Sequence, residues 1–202
     1  MRLYNLKAGM NPRRVRIFLA EKDIQIPTVD IDMMKGENRT PEFLAMNPLG
    51  KLPVLELDDG AFISESIAIC RYLEELHPAP NLFGSTPTER AIVEMWNRRM
   101  DLELVQPMSE QFVHLSSFFA GRVEQIAKVG AHARQHAMRT LQWLDAELAQ
   151  RPYIASSRYT VADISAQCAM VLGKNTGVPL PEDLPNLGRW WADVSSRPTA
   201  RA

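Results

Sequence analysis

Pro48-Leu49-Gly50-Lys51-Leu52-Pro53-Val54-Leu55-Glu56-Leu57-Asp58-Asp59-Gly60-Ala61-Phe62-Ile63-Ser64-Glu65-Ser66 packs a loop, two strands and the start of a helix into one short stretch. Residues 54–57 read as a strand, Asp58-Asp59-Gly60 has the chemistry of a tight hairpin turn, and residues 61–63 read as the returning strand. The apolar-periodic run Ile67, Ile69, Cys70, Leu73, Leu76 follows at once, which predicts a helix from Glu65 to about His77. A helix start offers unpaired backbone N–H groups. With a hydroxyl and a carboxylate beside them it can hold both charges of an amino-acid end group, the amides taking the carboxylate and Glu65 the ammonium. Ser64 or Ser66 acting only as a helix cap is the simpler reading of the same residues. Leu52-Pro53 opens the first strand with a proline, which suits an ordinary strand start or a cis peptide bond that turns a backbone amide toward a ligand.

Toward the N-terminus, residues 2–6 alternate polar and apolar as a half-buried strand, and residues 7–10 form a loop containing Gly9. Asn11 as N-cap with Pro12 after it marks a helix whose apolar stripe is Val15, Ile17, Phe18 and Leu19. Residues 27–31 form a second strand. Strand, helix and strand within about thirty residues make a βαβ unit with parallel strands. Thr40-Pro41-Glu42-Phe43-Leu44 repeats the cap-then-proline signal for a short helix, which Asn47-Pro48-Leu49-Gly50 ends. The order βαβ, short helix, ββα is thioredoxin-like.

His77-Pro78-Ala79-Pro80-Asn81 shifts the composition to proline and turn residues, and all that follows reads as helix. The expected division is therefore an α/β domain over 1–77, a linker over 78–86 and an all-α domain over 87–202. Thr86-Pro87-Thr88-Glu89 caps a long helix carrying Val93, Trp96, Met100 and Leu104, with Pro107 expected to kink or break it. A helix over about 123–149 follows, its stripe running from Val123, Ile126 and Ala127 through Gly130, Ala133 and Ala137 to Leu148. Thr160 and Asp163 have the spacing of a capping box at the start of another helix, with Ile164, Cys168, Val171 and Leu172 as its buried face. Leu187, Trp190, Trp191 and Val194 mark a last one.

The chain's 23 lysines and arginines nearly balance its 24 aspartates and glutamates, so no basic face points to nucleic acid or to an acidic membrane. No apolar run is long enough for a membrane span, and no secretory signal opens the chain, which gives a cytoplasmic expectation. Cys70 and Cys168 stand far apart in apolar patterns and read as reduced core residues. His132 and His136 are four apart on a predicted helix, but nothing near them in sequence completes a ligand set, and no metal is expected.

Taken together, Asn11-Pro12-Arg13-Arg14-Val15-Arg16-Ile17, Lys35-Gly36-Glu37-Asn38, residues 47–55, Glu65-Ser66 and Tyr159-Thr160-Val161-Ala162-Asp163 resemble the glutathione transferase family over the whole chain. The first-helix motif is most similar to an atypical fungal and bacterial branch and to the theta and nu-like classes. The resemblance implies a thioredoxin-like domain that binds glutathione as co-substrate, a helical domain that accepts a small hydrophobic electrophile, and a detoxifying homodimer. It further implies that Leu52, before a cis Pro53, offers its backbone to the cysteinyl part, and that Glu65 and Ser66 hold the γ-glutamyl end. Lys51 and Asn38 would lie near the glycyl carboxylate, and Asp101 would reach the γ-glutamyl ammonium bound by the partner subunit.

The chain departs from the family where the thiol-activating Tyr, Ser or Cys is expected, for it reads Lys7-Ala8-Gly9-Met10-Asn11 there. Lowering a thiol pKa from about 8.5 by two units needs roughly 2.7 kcal/mol. The positive end of the first helix supplies up to ~2 kcal/mol, and Asn11 or a fixed water can add a hydrogen bond. In the branch it resembles, a serine and a histidine of the helical domain hold such a water; Ser109 and His114 stand at about the matching place. Each also has a plain structural reading, Ser109 as a cap after Pro107 and His114 as a surface residue. Met108, Phe112, Leu115, Phe118 and Phe119 are the candidate apolar wall, or ordinary core. Two other readings stay open: a non-catalytic binder of glutathione or protein, and a glutathione-dependent dehalogenase, isomerase or peroxidase.

Overall fold

A computed structural model describes residues 1–202. Strand β1 (Arg2–Asn5) leads through a loop into helix α1 (Met10–Glu21) and strand β2 (Thr28–Asp30), with β2 parallel to β1. Short helix α2 (Pro41–Met46) precedes the hairpin of β3 (Val54–Glu56) and β4 (Phe62–Ser64), and helix α3 (Ser66–Leu76) follows. β3 runs antiparallel to both β1 and β4, giving the sheet order β2-β1-β3-β4. The hairpin closes on the predicted turn: the Gly60 amide bonds the Leu57 carbonyl at 3.1 Å, the Leu57 amide bonds the Ala61 carbonyl at 2.8 Å, and Gly60 takes φ 85°. Only glycine enters that region without strain.

Period-two alternation assigns the two faces of the sheet. Tyr4 stands across from Val54 and packs with Phe43 of α2, Leu52 and Leu6 on one face. Leu3 stands across from Leu55, and both are fully buried, as are Val15, Phe18, Ile69, Cys70 and Leu73 of α1 and α3. Cys70 and Cys168 are buried and form no disulfide. Contacts divide the chain into one unit of Met1–Asn81 with Arg201–Ala202 and a second of Leu82–Ala200.

The second unit is helical throughout: α4 (Pro87–Met100), α5 (Gln106–Leu115), α6 (Ala127–Leu148), α7 (Val161–Asn175) and α8 (Pro185–Ser196). Thr86 caps α4 by accepting from the Glu89 amide at 3.2 Å, and the capping box of Thr160 and Asp163 is formed. Asp163 does more than cap: it also accepts from the Ile154 amide and the Trp190 indole, each at 2.9 Å. Burial pushes its carboxyl above the ordinary aspartate range, and the four donated hydrogen bonds pull the other way. α7 is buried all round from Val161 to Met170, so its core face is wider than Ile164 and Cys168 alone, while Val171 and Leu172 are only half-buried.

Three expectations need correction. α6 starts at Ala127, not near Val123, leaving Val123 and Ile126 42% and 47% exposed. The chain before it is tied down instead, by Gln125 donating to the Val113 and Ser116 carbonyls. Of the kink or break expected at Pro107, the break does not occur: residues Asp101–Val105 widen into a π turn and α5 continues directly. Finally, α1 is capped by Gly9, not by Asn11. The Gly9 amide closes a turn onto the Leu6 carbonyl at 2.9 Å, so the helix begins earlier than the Asn-Pro signal implies. A Cβ at Gly9 would meet the Pro12 ring at 2.9 Å. No helix is long and apolar enough to cross a membrane.

Candidate functional site

The candidate residues of the first unit converge at one end of the sheet because of strand direction. Tyr4 pairs with Val54 and Val54 with Ser64. The end of β1, the start of β3 and the end of β4 therefore lie side by side, and one further step of the same register sets Pro53 across from Glu65. The loop that enters α1, the Leu52-Pro53 pair and the start of α3 all emerge there.

The Leu52-Pro53 peptide bond is cis, the second of the two alternatives open for that proline. Asn38 is 3% exposed and donates from Nδ2 to the Gly50 carbonyl at 2.8 Å, while Asn47 donates to the Lys51 carbonyl, also at 2.8 Å. Both amides therefore hold the backbone that leads into Leu52. Asn38 thus acts on the loop itself, and the exposed Lys51 side chain is the charge this loop presents.

Glu65 is not the first residue of α3 but its N-cap, with φ 70° and ψ 115°. Its carbonyl accepts the first helical bond, from the Ile69 amide at 3.0 Å, and its side chain is exposed. A non-glycine residue at positive φ next to a helix start is a strained position that the surrounding structure must impose. Ser66 is the first helical residue, 5% exposed, and its Oγ accepts from Arg14 Nη1 at 2.9 Å. Arg14, itself 3% exposed on α1, escaped the sequence reading. A charge placed between the apolar positions of α1 was the signal for it. The Ser66 amide is among those that begin a helix without an intrahelical partner.

At the start of α1, Asn11 is exposed and sits in the second helical position, where its own backbone N–H, with that of Met10, has no helical acceptor. Pro12 has no N–H to add. Tyr4 Oη donates to Glu56 Oε2 at 3.0 Å, which occupies that hydroxyl within the sheet.

Asp101, Ser109 and His114 belong to the second unit. Asp101 opens the π turn. Ser109 does not cap α5; its Oγ donates back to the Val105 carbonyl at 2.8 Å. His114 Nδ1 accepts from the Ile126 amide at 3.2 Å, pinning the connection to α6. Five positions apart on a helix, their side chains point about 140° away from each other, so the structure does not bring them together on one water. Met108 is fully buried core. Phe112, Phe118 and Phe119 pack ring against ring, with centroids 5.0 to 6.0 Å apart, and Phe118 is 49% exposed. His136 has the acidic partner that the sequence did not disclose, Glu103 at 2.7 Å, but no group of three ligating side chains is assembled. A cavity of about 550 Å3 in this unit is lined by Leu115, Arg134, Met138 and Arg139, and of the candidate residues it includes Leu115 of the apolar wall.

Comparison with known proteins gives a consistent picture. Residues 10–76 match the description "Glutathione S-transferase, N-terminal domain", and residues 104–198 match "Glutathione S-transferase, C-terminal domain". The chain is 37% identical to Glutathione S-transferase 2 of Saccharomyces cerevisiae, an alignment covering 100% of this chain and 88% of that protein. Superposition on the crystal structure of Gtt2 from Saccharomyces cerevisiae gives a TM-score of 0.94 at 36% identity, covering 100% and 99% of the two chains. A glutathione S-transferase domain-containing protein of Marinobacter aquaeolei gives 0.95, also at 36% identity, covering 99% and 100%. With both domain descriptions matched in order and the whole of this chain aligned to a named transferase, the chain belongs to the glutathione S-transferase family.

Proposed function

We propose that this chain binds glutathione at the sheet end described above and transfers its thiolate to small hydrophobic electrophiles, as a cytoplasmic, detoxifying homodimer. The observation that carries the reading is the start of α3. A strained Glu65 holds an exposed carboxylate beside the Ser66 amide and hydroxyl, one register step from the cis Leu52-Pro53 pair. That set offers an anion to an ammonium and amides to a carboxylate, which suits the γ-glutamyl end. Leu52 offers backbone to the cysteinyl part, and Lys51 a cation to the glycyl carboxylate, with Asn38 fixing the loop for it. The thiolate is assigned to the start of α1, where the Met10 and Asn11 amides and the helix dipole favour an anion.

Phe112, Leu115, Phe118 and Phe119 supply apolar surface for the electrophile. Self-association is supported by Ile92 and Met95 of α4, which share a helix face and are 39% and 40% exposed; Asp101 then reaches the ligand of the partner subunit. The absence of Tyr, Ser and Cys from residues 6–11 favours one second reading, a member that binds glutathione without efficient turnover.

Retention on immobilised glutathione, followed by thiol consumption with a panel of electrophiles, tests both. The expected result is retention and turnover, with Ser109→Ala and His114→Ala within about threefold of wild type in kcat/KM. Retention without turnover supports the second reading, and neither retention nor turnover overturns the assignment.

A further inference from the structure

The start of α1 has no side-chain cap: Gly9 offers none. Where the first helical amides point is therefore settled by the short loop of residues 6–9, and that loop is gripped from inside the helix. Arg16 reaches back toward the N-terminus, the direction in which helical side chains lean. It donates to three acceptors: Asn5 Oδ1 at 2.7 Å, the Leu6 carbonyl at 3.3 Å and the Lys7 carbonyl at 2.9 Å. Asn5, 2% exposed, passes the grip on by donating from Nδ2 to Asp30 Oδ1 at 2.6 Å. Asp30 Oδ2 pairs with Lys7 Nζ at 3.1 Å. The bonds close a ring from Arg16 through Asn5 and Asp30 to the Lys7 side chain, and back through the Lys7 carbonyl to Arg16.

The ring has a fixed polarity. A carboxylate can only accept and a guanidinium can only donate, so the Asn5 amide between them has one satisfied orientation. Asp30 carries the ionised form that this needs, its carboxyl held below the ordinary aspartate range first by the Asn5 hydrogen bond and then by Lys7.

We propose that Arg16, acting through the Asn5 and Asp30 ring, is a positioning residue for the reactive thiol: it sets the loop that aims the Met10 and Asn11 amides. The proposal rests on the assignment of glutathione to this sheet end. In a helix start that lacks an activating side chain, amide direction governs how strongly an anion is favoured, and a loosened loop lets the thiol keep its proton without releasing the tripeptide.

The test uses the full chain and reduced glutathione, following thiolate absorbance in the ultraviolet against pH for wild type, Arg16→Met, Arg16→Lys and Asp30→Asn, with calorimetric affinity and thermal melting of each. Arg16→Met is expected to raise the apparent pKa of the bound thiol by about one unit and to lower kcat/KM below neutral pH about tenfold, with glutathione affinity within about threefold of wild type. Arg16→Lys recovers part of the shift. Asp30→Asn, at a side chain 45% exposed, moves it the same way by less, because the Asn5 amide can then turn over. An unchanged thiol pKa in Arg16→Met and Asp30→Asn, with both folded, overturns the proposal alone. So does a fall in affinity that tracks melting with no change in the pH profile, since that is a purely structural role. If wild type binds no glutathione, the assignment of the site falls and takes the proposal with it.

Discussion

Glu65 is held at φ 70°, where a residue bearing a Cβ is strained by on the order of 1–3 kcal/mol. Glycine would remove that strain but adds about 0.5–1 kcal/mol of unfolded-chain entropy, so the net gain is modest. Glu65→Gly is therefore expected to be more stable than Glu65→Ala by about 1 kcal/mol in denaturant melts, while both lose the carboxylate and bind glutathione more weakly than wild type. Equal stability of the two variants would show that the backbone there is relaxed, and wild-type affinity in both would remove Glu65 from the site. The identity of this residue was legible in the sequence as part of a helix start. Its conformation was not, because positive φ at a non-glycine position is imposed by the β4 register and the α3 packing, neither of which leaves a local signal. Arg14 was missed for a related reason: a buried arginine is legible only when its acceptor, Ser66 fifty-two positions later, is known to face it.

At the scale of the element, the π turn of Asp101–Val105 shows how a proline is accommodated inside a long helix. In an α-helix the missing Pro107 amide would have bonded the Glu103 carbonyl. Here that carbonyl accepts from Thr140 Oγ1 of α6 at 2.8 Å, and Thr140 is 5% exposed. Thr140→Val is expected to cost about 1–3 kcal/mol, since it leaves the carbonyl without that donor. Restoring the amide with Pro107→Ala should reduce that cost, a coupling that a double-mutant cycle in chemical denaturation measures directly. Additive effects would mean that Thr140 does not substitute for the missing amide. The sequence signalled an interruption at Pro107 but not its form, because the compensating hydroxyl comes from a different helix. The α1 cap was misplaced by two residues for an equally local cause: Asn-Pro is a strong start signal, yet the turn closing on Gly9 begins the helix earlier and leaves Pro12 in its first turn.

At the scale of the whole molecule, the order of elements was legible because each carries its own marks: the Asp-Gly turn of the hairpin, the Thr-Pro starts of α2 and α4, and the Thr160 and Asp163 box of α7. The parallel pairing of β1 with β2 followed from the βαβ order. What the sequence could not supply was convergence, since only the register brings Asn5, Leu52-Pro53 and Glu65-Ser66 to one end of the sheet. Asn38 illustrates the difference. The resemblance sets it near the glycyl carboxylate, whereas its bond to the Gly50 carbonyl makes it a support for the loop, a role set by a contact twelve positions on. The central claim is that the start of α3 holds the γ-glutamyl end of glutathione. Calorimetric titration of the wild-type chain with glutathione and with the dipeptide cysteinylglycine, which lacks only that end, tests it most directly. The account predicts glutathione binding that is weakened at least about 100-fold for the dipeptide, a loss of roughly 2.7 kcal/mol. Equal affinity for the two, or no binding of glutathione, would contradict it.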